Sequence, residues 1–428
     1  MPGPRTAGRP GEISSETGRK IMKRRVAVIG AGASGLIASV VASESCDVVL
    51  FEKQKKIGRK LLVTGNGRCN ISNTGIEKNR YHGHNPGFVN NVFAKFGLPE
   101  TESFFSSIGI PFVEENEGKL FPASLQASLL PKVFEYELAS RKVELRLHRR
   151  IDKIIPLKKG FRVVTAGMEE EEFDTVVLSC GSCAFPQTGA SRAGYELAES
   201  LGHTVHEPFP VITPLNIPLK ALHRLQGIKW DCGVRVYHKK KVVAESCDEL
   251  LFTAYGISGP ASLKVSRRLN ELILKSERPE IEIDFFPGSS AAELRGMIDI
   301  LMENRSKKLG FSLLGILKER VPEVVLPLAG IDPEKRNGTV TAGDIEAIVS
   351  VLKGLRLEPG KCRGFDDAVA AAGGVSVDEI NPLTMESKIV KGVYITGELL
   401  DIDGDSGGFN LQFAWSTGAI AGMSQLSE

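Results

Sequence analysis

The sequence lacks any apolar run long enough to cross a membrane. No stretch of its 428 residues approaches the ~18 apolar residues of a membrane span, and the net charge is only +2. Cysteine is scarce, and the seven residues are scattered along the chain, which fits a reducing cytoplasm better than a secreted disulfide framework. Affinity for nucleic acid would have to come from a local basic patch. We therefore expect a cytoplasmic globular protein with no membrane association.

Metal-binding and redox motifs are also sparse. The segment 81–84 holds His82 and His84, but the neighbouring sequence supplies no carboxylate to complete a metal site. The one CxxC, Cys180 to Cys183, lies at a predicted strand end rather than at the start of a helix. A redox pair and the packing of small residues are both compatible with this motif.

The acidic stretch 401–405 imitates a calcium loop without completing one. Asp401, Asp403 and Asp405 alternate as calcium ligands do, but the sixth position is Ser406 and the twelfth is Gln412. A calcium loop needs glycine at the sixth position and a bidentate carboxylate at the twelfth. We therefore predict no metal site.

A glycine-rich turn near the N-terminus predicts a dinucleotide site. The apolar run 26–29 is typical of a buried parallel strand, and the pattern Gly30-x-Gly32-x-x-Gly35 then opens a helix of small residues. These glycines permit a tight turn, let the backbone approach a pyrophosphate, and allow the helix to pack closely on the strand. Glu52 ends the next predicted strand, where a carboxylate can bind ribose hydroxyls.

A polar segment at positions 58–73, GRKLLVTGNGRCNISN, favours FAD over NAD. It has too few apolar residues for a core element and too many glycines for a helix. We expect its Arg-Lys pair to bring charge to the diphosphate and its later residues to bring amide groups to the isoalloxazine edge. Arg68, Cys69 and Asn70 are therefore the candidate catalytic residues, with Cys69 either a proton donor or a small packed residue.

The C-terminal segment supplies the second half of this prediction. The run 392–398 is typical of a strand that ends in Gly397 and Glu398, and an acid there can hold a ribityl hydroxyl. Gly407 and Gly408 precede a final helix of small residues, whose positive N-terminal end is expected to face the flavin N1–C2=O edge. NAD enzymes have no use for such an element, so both ends of the chain are predicted to bind one FAD.

The predicted cofactor-binding residues come from both ends of the chain. They are Gly30, Gly32, Ala33, Ser34, Gly35, Glu52, Lys53, Arg59, Lys60, Thr64, Gly67, Arg68, Ile151, Gly181, Gly397, Glu398, Asp403, Gly407, Gly408, Asn410 and Leu411. Arg68, Asn70 and Asn410 are the residues most expected to orient a substrate carbonyl or the polar edge of the flavin.

The α/β patterns at the two ends differ from the middle of the chain. Residues 208–259 show short alternating runs typical of an antiparallel sheet, with a hairpin near Lys239–Lys241. The fold class predicted is α/β: a discontinuous Rossmann-like FAD-binding domain with an inserted β-barrel plus helical subdomain. The predicted divisions are a disordered extension at 1–22, the FAD-binding domain at 23–207 and 366–428, the β-barrel-like subdomain at 208–260 and 338–365, and the helical subdomain at 261–337.

Five long motifs resemble one family of bacterial flavoproteins. The motifs are the segment 58–73, FPAS at 121–124, LFTAYGISGP at 251–260, GGVSVDEINPLTMESK at 373–388 and GELLDIDGDSGGFNLQFAWSTGAIAG at 397–422. Over about residues 23–424 the chain resembles the BaiN-like or aminoacetone-oxidase-like NAD(P)/FAD-dependent oxidoreductases. The resemblance implies a FAD-binding Rossmann-like domain with an inserted barrel and helical subdomain. It also implies reduction of activated C=C bonds, in enones or in ribosomal uridine, or oxidation of amines.

The function expected first is hydride transfer from reduced flavin N5 to a polarised C=C bond. The alternatives are an oxidase or dehydrogenase of an amine or aminoketone, a flavoenzyme that reduces uridine in ribosomal RNA, and a flavin-carrying RNA-binding module without activity. Ala254 departs from the family, which often has histidine there, and Cys180–Cys183 replaces an Ala-Thr-Gly-Gly-like sequence. If that histidine is a proton donor in the family, this chain must use another group.

A small-molecule substrate is the expected partner. Contact with RNA would involve the basic residues of the insertion, although such charge runs are usually solvated faces. They are Lys220, His223, Arg224, Lys229, Arg235, Lys239, Lys240, Lys241, Lys264, Arg267 and Arg268. Between residues 150 and 370 there is no second strand–GxGxxG–helix unit, so NADH or NADPH, if it is the electron donor, must dock transiently.

Overall fold

A five-stranded parallel sheet forms the centre of the chain in the computed structural model, which describes residues 23–426. The predicted extension at 1–22 lies outside the described residues. The strand order across the sheet is Val393–Ile395, Thr175–Leu178, Arg25–Ile29, Asp47–Phe51 and Glu144–Arg146. Strands from both ends of the chain are therefore neighbours, with Val177 opposite Tyr394 in the ladder. The predicted α/β fold class, with a discontinuous Rossmann-like domain, is confirmed.

The strands of this sheet are short and almost wholly apolar because helices cover the sheet. Val26, Val28, Val176 and Leu178 have no measurable exposure. The helices of this part of the chain are Ala33–Ala42, Phe88–Lys95, Leu98–Ser107, Leu129–Ser140, Ala193–Ser200 and Phe409–Ser424. The helical segment predicted at 88–108 is divided at Gly97, where a Cβ would lie 2.7 Å from the carbonyl oxygen of Phe93.

The first helix, Ala33–Ala42, packs directly against the last helix, Phe409–Ser424. Small residues make this close approach feasible: a Cβ on Gly418 would lie 2.3 Å from the carbonyl oxygen of Ser34. One turn further along, a Cβ on Gly422 would lie 2.8 Å from the carbonyl oxygen of Ala38. The two helices thus meet backbone to backbone, and they bring the two chain ends together.

Small antiparallel sheets surround the parallel sheet. One sheet contains Ile151–Pro156, Phe161–Thr165 and Glu170–Phe173, and another contains Ser72–Asn73, Phe112–Glu115 and Lys119–Pro122. Two strand pairs join distant segments: Tyr81–His82 with Asp403–Gly404, and Val205–Val211 with Ala370–Val375. The second pair leads into and out of the insertion.

The insertion has its own sheet and its own apolar core. The six strands, in order, are Leu215–Asn216, Gly256–Ser258, Lys241–Thr253, Lys229–His238, Glu280–Asp284 and Leu355–Leu357. The helices are Lys220–His223, Pro260–Leu274, Ala291–Leu301, Leu309–Ser312, Pro322–Leu328 and Ala342–Gly354. The hairpin predicted near Lys239–Lys241 is confirmed, and Lys239 and Lys240 both have positive φ.

The insertion sheet also includes a strand from the segment that the sequence assigns to a helical subdomain. Glu280–Asp284 pairs with Lys229–His238, and one apolar cluster includes residues from both predicted subdomains, such as Val234 and Leu326. The finer division of the insertion into two subdomains stays a prediction. Ion pairs connect the insertion to the part of the chain that contains the parallel sheet. For example, Arg267 Nε lies 2.7 Å from a carboxylate oxygen of Asp403.

Replacement of Gly418 by alanine should destabilise the fold. The new methyl group must displace the backbone at Ser34, and overpacking of this kind costs about 1–3 kcal/mol in the free energy of unfolding. Gly296→Ala is the matched control: this glycine lies in the helix Ala291–Leu301, and its Cβ would meet nothing within 4 Å. The control should be more stable by ~0.5–1 kcal/mol. Thermal unfolding measured by circular dichroism separates the two, and equal shifts would contradict the packing argument.

Candidate active site

A cleft of about 480 Å³ lies where the first helix, the segment 58–70 and the last helix meet. Its size is typical of a small-molecule or cofactor site. Most of the predicted binding residues line it: Gly30, Gly32, Ala33, Ser34, Glu52, Lys53, Arg59, Lys60, Thr64, Arg68, Asn70, Ile151, Gly181, Glu398, Gly407, Gly408, Asn410 and Leu411. Residues more than 300 positions apart in sequence thus face one cavity.

The glycine-rich turn forms one end of the cleft. Gly30 has φ +104°, and a Cβ there would lie 2.5 Å from the carbonyl oxygen of Ser179 on the neighbouring strand. Gly35 allows the helix to pack on the turn, because its Cβ would lie 1.9 Å from the carbonyl oxygen of Gly30. Both glycines are therefore explained by contacts within the protein.

Gly32 is different, because nothing in the described protein requires glycine at this position. Its φ is −83°, which any residue adopts, and a Cβ would meet no atom within 4 Å. It is the N-cap of the first helix, it lines the cleft, and no side chain caps the helix there. The open space at Gly32 and the free N–H groups of the first turn together fit an anionic group of a ligand.

Glu52 follows its strand and closes the glycine turn. Its Oε2 accepts a hydrogen bond from the backbone N–H of Ala31 at 2.9 Å, and its Oε1 accepts one from Gln54 N–H at 2.8 Å. A carboxylate has further lone pairs in addition to these two bonds. Glu52 is therefore held rigidly while it still faces the cleft, as a ribose-binding acid requires.

The middle of the cleft contains an ion pair between the two halves of the site. Lys60 Nζ lies 2.6 Å from Oε2 of Glu398, and both side chains are largely buried. The hydroxyl of Ser182 also donates to Glu398, at 3.3 Å. This pair joins the segment that follows Glu52 to the segment that follows the strand Val393–Ile395.

The last helix begins at the far end of the cleft with two glycines in left-handed conformations. Gly408 has φ +101°, and a Cβ there would lie 2.3 Å from the carbonyl oxygen of Ser72. No side chain caps this N-terminus. The side chain of Asn410 turns back to Gly404, accepting from its N–H and donating to its carbonyl, both at 2.8 Å. Asn410 therefore shapes the loop before the helix, while its amide keeps one N–H and one lone pair beyond these two bonds.

The three candidate catalytic residues have different surroundings. Arg68 lines the cleft, donates to both carboxylate oxygens of Glu115 at 2.8 Å, and lies over the ring of Phe121. Asn70 also lines the cleft, and its buried Oδ1 has no hydrogen-bond partner within the described protein. Since buried polar atoms are rarely left unpaired, Asn70 is placed to bind a ligand group.

Cys69 lies behind the wall of the cleft. It is fully buried, and burial raises the pKa of its thiol to about 12. A thiol so hard to ionise and without access to the cavity is unsuited to donate protons in turnover. Its backbone has φ +61°, and its N–H donates to the carbonyl oxygen of Thr64 at 3.0 Å. Cys69 therefore helps to shape the backbone of the segment 64–70.

Four other predicted residues also lie outside the cleft wall. Gly35 and Gly67 belong to its supporting backbone, and the N–H of Gly397 donates to Thr417 of the last helix at 2.9 Å. Asp403 is buried against Arg267, and its pKa is raised by burial although the guanidinium opposes this. Asp403 therefore stabilises the contact with the insertion.

Sequence reasoning missed one whole wall of the cleft. This wall is formed by Lys119, Phe121, Ile212, Leu263, Val369, Ala370, Asp405 and Ser406. Ile212, Leu263 and Ala370 belong to a small apolar cluster at the strand pair that leads into the insertion. No local motif marks Ile212, Leu263 or Ala370, since only the pairing of distant strands brings them to the site.

The histidines of the segment 81–84 do have carboxylate partners, contrary to what the neighbouring sequence indicates. His82 Nε2 lies 2.8 Å from Asp405, and His84 Nδ1 lies 2.7 Å from Asp401. The strand of His82 runs antiparallel to that of Asp403, which aligns the two alternating motifs. The partners are over 300 residues away, so sequence proximity could not reveal them.

The two departures from the family motifs lie in different places. Ala254 is exposed in the turn between two insertion strands and does not line the cleft. Cys180 lines the cleft, but burial raises its pKa to about 12, and its thiol donates to the carbonyl of Ile29 at 3.5 Å. All seven cysteines belong to the described residues and are unpaired. The structure therefore favours small-residue packing over a disulfide for Cys180 and Cys183.

The cleft fits a flavin dinucleotide. The space at Gly32, the acid at Glu52, the unpaired Oδ1 of Asn70 and the uncapped N-terminus of the last helix all face the same cavity. Such a site, with an anion-binding turn at one end and a second helix N-terminus at the other, is that of an FAD-dependent oxidoreductase.

The chain belongs to the HI0933-like protein Rossmann domain family, whose model matches residues 24–424. It is 34% identical over 402 residues to the 3-dehydro-bile acid delta(4,6)-reductase of Clostridium scindens, covering 93% of this chain and 98% of that protein. It is 29% identical to the ribosomal RNA dihydrouridine synthase of Escherichia coli, covering 91% of this chain and 95% of that one.

Solved structures confirm the fold. The 3-ketosteroid delta1-dehydrogenase of Sterolibacterium denitrificans matches with a TM-score of 0.50 at 11% identity, covering 94% of this chain and 99% of that one.

Among residues 23–426, no helix combines the length and apolar character needed to span a membrane.

Gly32→Ala should weaken FAD binding without weakening the fold. The added methyl group meets no protein atom, but it would occupy the space expected for the pyrophosphate. We expect the dissociation constant of FAD to rise at least tenfold, about 1.4 kcal/mol, while the melting temperature of the cofactor-free protein is unchanged. Fluorescence titration of the stripped protein with FAD measures this, with Gly296→Ala as control. An unchanged affinity would show that the turn does not contact the cofactor.

Proposed function

We propose that this protein reduces a polarised C=C bond in a small, largely apolar acceptor. The observation that supports this most directly is the apolar part of the missed wall, formed by Phe121, Ile212, Leu263, Val369 and Ala370. Apolar rings bind to such a surface through the hydrophobic effect. The relative from Clostridium scindens is named as a reductase of a 3-dehydro bile acid, which is an acceptor of this kind.

A chain of contacts links the apolar wall to the loop that precedes the last helix. Leu263 belongs to the helix Pro260–Leu274, whose Lys264 lies 2.7 Å from Glu117. The carbonyl of Glu117 accepts a hydrogen bond from Asn73, which also donates to the carbonyl of Gly407. An acceptor held against Leu263 would therefore sit close to the loop that opens the last helix.

Bound FAD would supply the hydride from N5 of its reduced ring. Arg68 is proposed to orient the electron-withdrawing carbonyl of the acceptor, since its guanidinium is half-exposed at the cleft and fixed by Glu115. Asn70 is proposed to bind a polar edge of the ring through its unpaired amide oxygen or, after rotation, its amide NH₂. Arg68 and Asn70 line the same cleft, so the acceptor and the flavin would meet there.

The proton for the second carbon is proposed to come from the His82–Asp405 pair. Asp405 lines the cleft, and His82, 2.8 Å from it, is partly exposed, so the pair could pass a proton from solvent to the cavity. Asp405 also pairs with Arg80 at 3.1 Å, which fixes its orientation.

NADH or NADPH is the proposed electron donor. It would dock transiently, because the described chain offers no second dinucleotide turn. The proposed compartment is a reducing cytoplasm.

Ribosomal RNA is the less favoured substrate. Most of the basic residues proposed for RNA contact are already in ion pairs with acids, which reduces the net field of that surface. These paired residues are Arg224, Lys229, Arg235, Lys239, Lys264, Arg267 and Arg268.

Anaerobic stopped-flow mixing of the reduced holoenzyme with candidate acceptors tests the reaction class. We expect fast flavin reoxidation by a polycyclic enone and slow reoxidation by uridine-containing RNA. Faster reoxidation by oxygen than by any enone, with peroxide formed, would instead identify an oxidase of an amine or aminoketone. Salt-sensitive RNA binding that is lost when Lys239–Lys241 are changed to alanine would identify an RNA substrate.

Leu263→Ala should raise the KM for an apolar enone. Removal of a buried isobutyl contact with the acceptor should cost about 1–3 kcal/mol, or roughly tenfold or more in KM. The absorption spectrum of the bound flavin should not change. Leu314→Ala, at an exposed position in the insertion, is the control and should leave KM as it is. Equal KM values for the two variants would place the acceptor elsewhere.

His82→Gln should slow reduction of the acceptor while leaving reduction of the flavin intact. Loss of a general acid typically costs about 10²-fold or more in rate. The flavin half-reaction with dithionite does not need this proton, so its rate is the internal control. His238→Gln removes a histidine from a similar His–Glu pair in the insertion and should have no effect. A normal rate in His82→Gln would exclude the pair as the proton source.

A further inference from the structure

Two histidines and an aspartate from three separate segments meet away from the cleft. His84 Nδ1 lies 2.7 Å from Oδ2 of Asp401, and His206 Nε2 lies 3.9 Å from the same oxygen. The two imidazole rings are stacked, with centroids 3.7 Å apart and planes inclined by 17°. One ligand atom from each of the three residues lies within 4.8 Å of the other two.

The backbone around these residues favours their close approach. Gly83 has φ +148°, and a Cβ there would lie 2.2 Å from the carbonyl oxygen of Asp401, so only glycine lets His84 reach the aspartate. The backbone N–H of His84 also donates to Oδ2 of Asp401 at 3.0 Å, which fixes the carboxylate. His206 lies opposite Gly374 in the strand pair that leads into the insertion.

The carboxylate is buried, whereas one imidazole is open to solvent. The side chain of Asp401 is 2% exposed, that of His206 is 29% exposed, and that of His84 is 66% exposed. A buried aspartate with no cation partner other than histidine is costly, and a bound cation would offset that cost. The exposed edge at His84 leaves access for an ion and for a water ligand.

This donor set differs from the other histidine–carboxylate pairs of the described chain. His82 with Asp405, His203 with Glu379 and His238 with Glu277 each provide a single imidazole. Within residues 23–426, the group of His84, His206 and Asp401 is the one that gathers three potential ligands. Two imidazole nitrogens and a carboxylate oxygen, with a water in fourth place, suit Zn²⁺ and related divalent ions.

We propose that His84, His206 and Asp401 form a binding site for a divalent transition-metal ion of the zinc class. The ion would replace the proton shared by His84 Nδ1 and Asp401, and a small rotation of His206 would complete three protein ligands. The site would join the segment after Tyr81–His82, the strand Val205–Val211 and the loop that precedes Asp403. It departs from the expectation from sequence that the chain has no metal site, and it is independent of the substrate proposed above.

Titration of the metal-free full-length holoenzyme with Zn²⁺, followed by calorimetry, tests the proposal. We expect one equivalent to bind, and we expect the affinity to fall at least tenfold in His84→Ala and in His206→Ala. His238→Ala is the matched control, because it removes one histidine of a His–Glu pair that has a 2.9 Å spacing but no second imidazole. It should bind zinc as the wild type does.

Co²⁺ as a second probe distinguishes this site from the cysteines. Tetrahedral binding through nitrogen and oxygen should give visible d–d bands without the near-ultraviolet charge-transfer band of a thiolate ligand. A thiolate band, equal affinity in His206→Ala and wild type, or no binding at all would each overturn the proposal. The flavin spectrum and the melting temperature of every variant establish that it is folded, so loss of zinc binding in a folded variant supports the site.

Discussion

Close packing of the first helix on the last is the contact on which the rest of the site depends. Gly418 and Gly422 allow the backbone of Phe409–Ser424 to touch that of Ala33–Ala42, and a single methyl group would separate them. Because these helices begin at the two ends of the cleft, their spacing fixes the distance between the glycine turn and the loop at Gly408. Apolar contact alone would not set that distance so tightly, since larger side chains pack at many separations.

Polar contacts then tie each functional segment to this pair of helices. The N–H of Gly397 donates to Thr417 in the last helix, and Glu398 next to it pairs with Lys60. Trp415 Nε1 donates to the carbonyl of Ile71, which positions the segment that contains Arg68 and Asn70. The shape of the cleft is therefore set by the contact between the two helices and by polar contacts that hold the segments around them.

Much of the nucleotide-binding part could be predicted from the sequence, because its information is local. A few neighbouring residues are enough to predict the backbone geometry of each of its features. These features are the strand before Gly30, the turn that follows, the acid at Glu52 and the glycines at 407 and 408. The substrate wall could not be predicted, since Ile212, Leu263 and Ala370 meet only through pairing of distant strands. The aspartate partners of His82 and His84 could not be predicted either, because they lie more than 300 residues away in the sequence. For Cys69 the sequence left two roles open, proton donor or packed residue, because the burial of its side chain is visible only in the structure.

The separation of the two halves of the site along the sequence has a consequence for biosynthesis. The helix Phe409–Ser424 supplies one end of the cleft and the partner surface of Ala33–Ala42, so the cleft is incomplete until this late segment has left the ribosome. Until then the early strands are present while one face of the first helix is uncovered. A polypeptide that lacks residues 409–424 would therefore have the glycine turn but not the second end of the cleft.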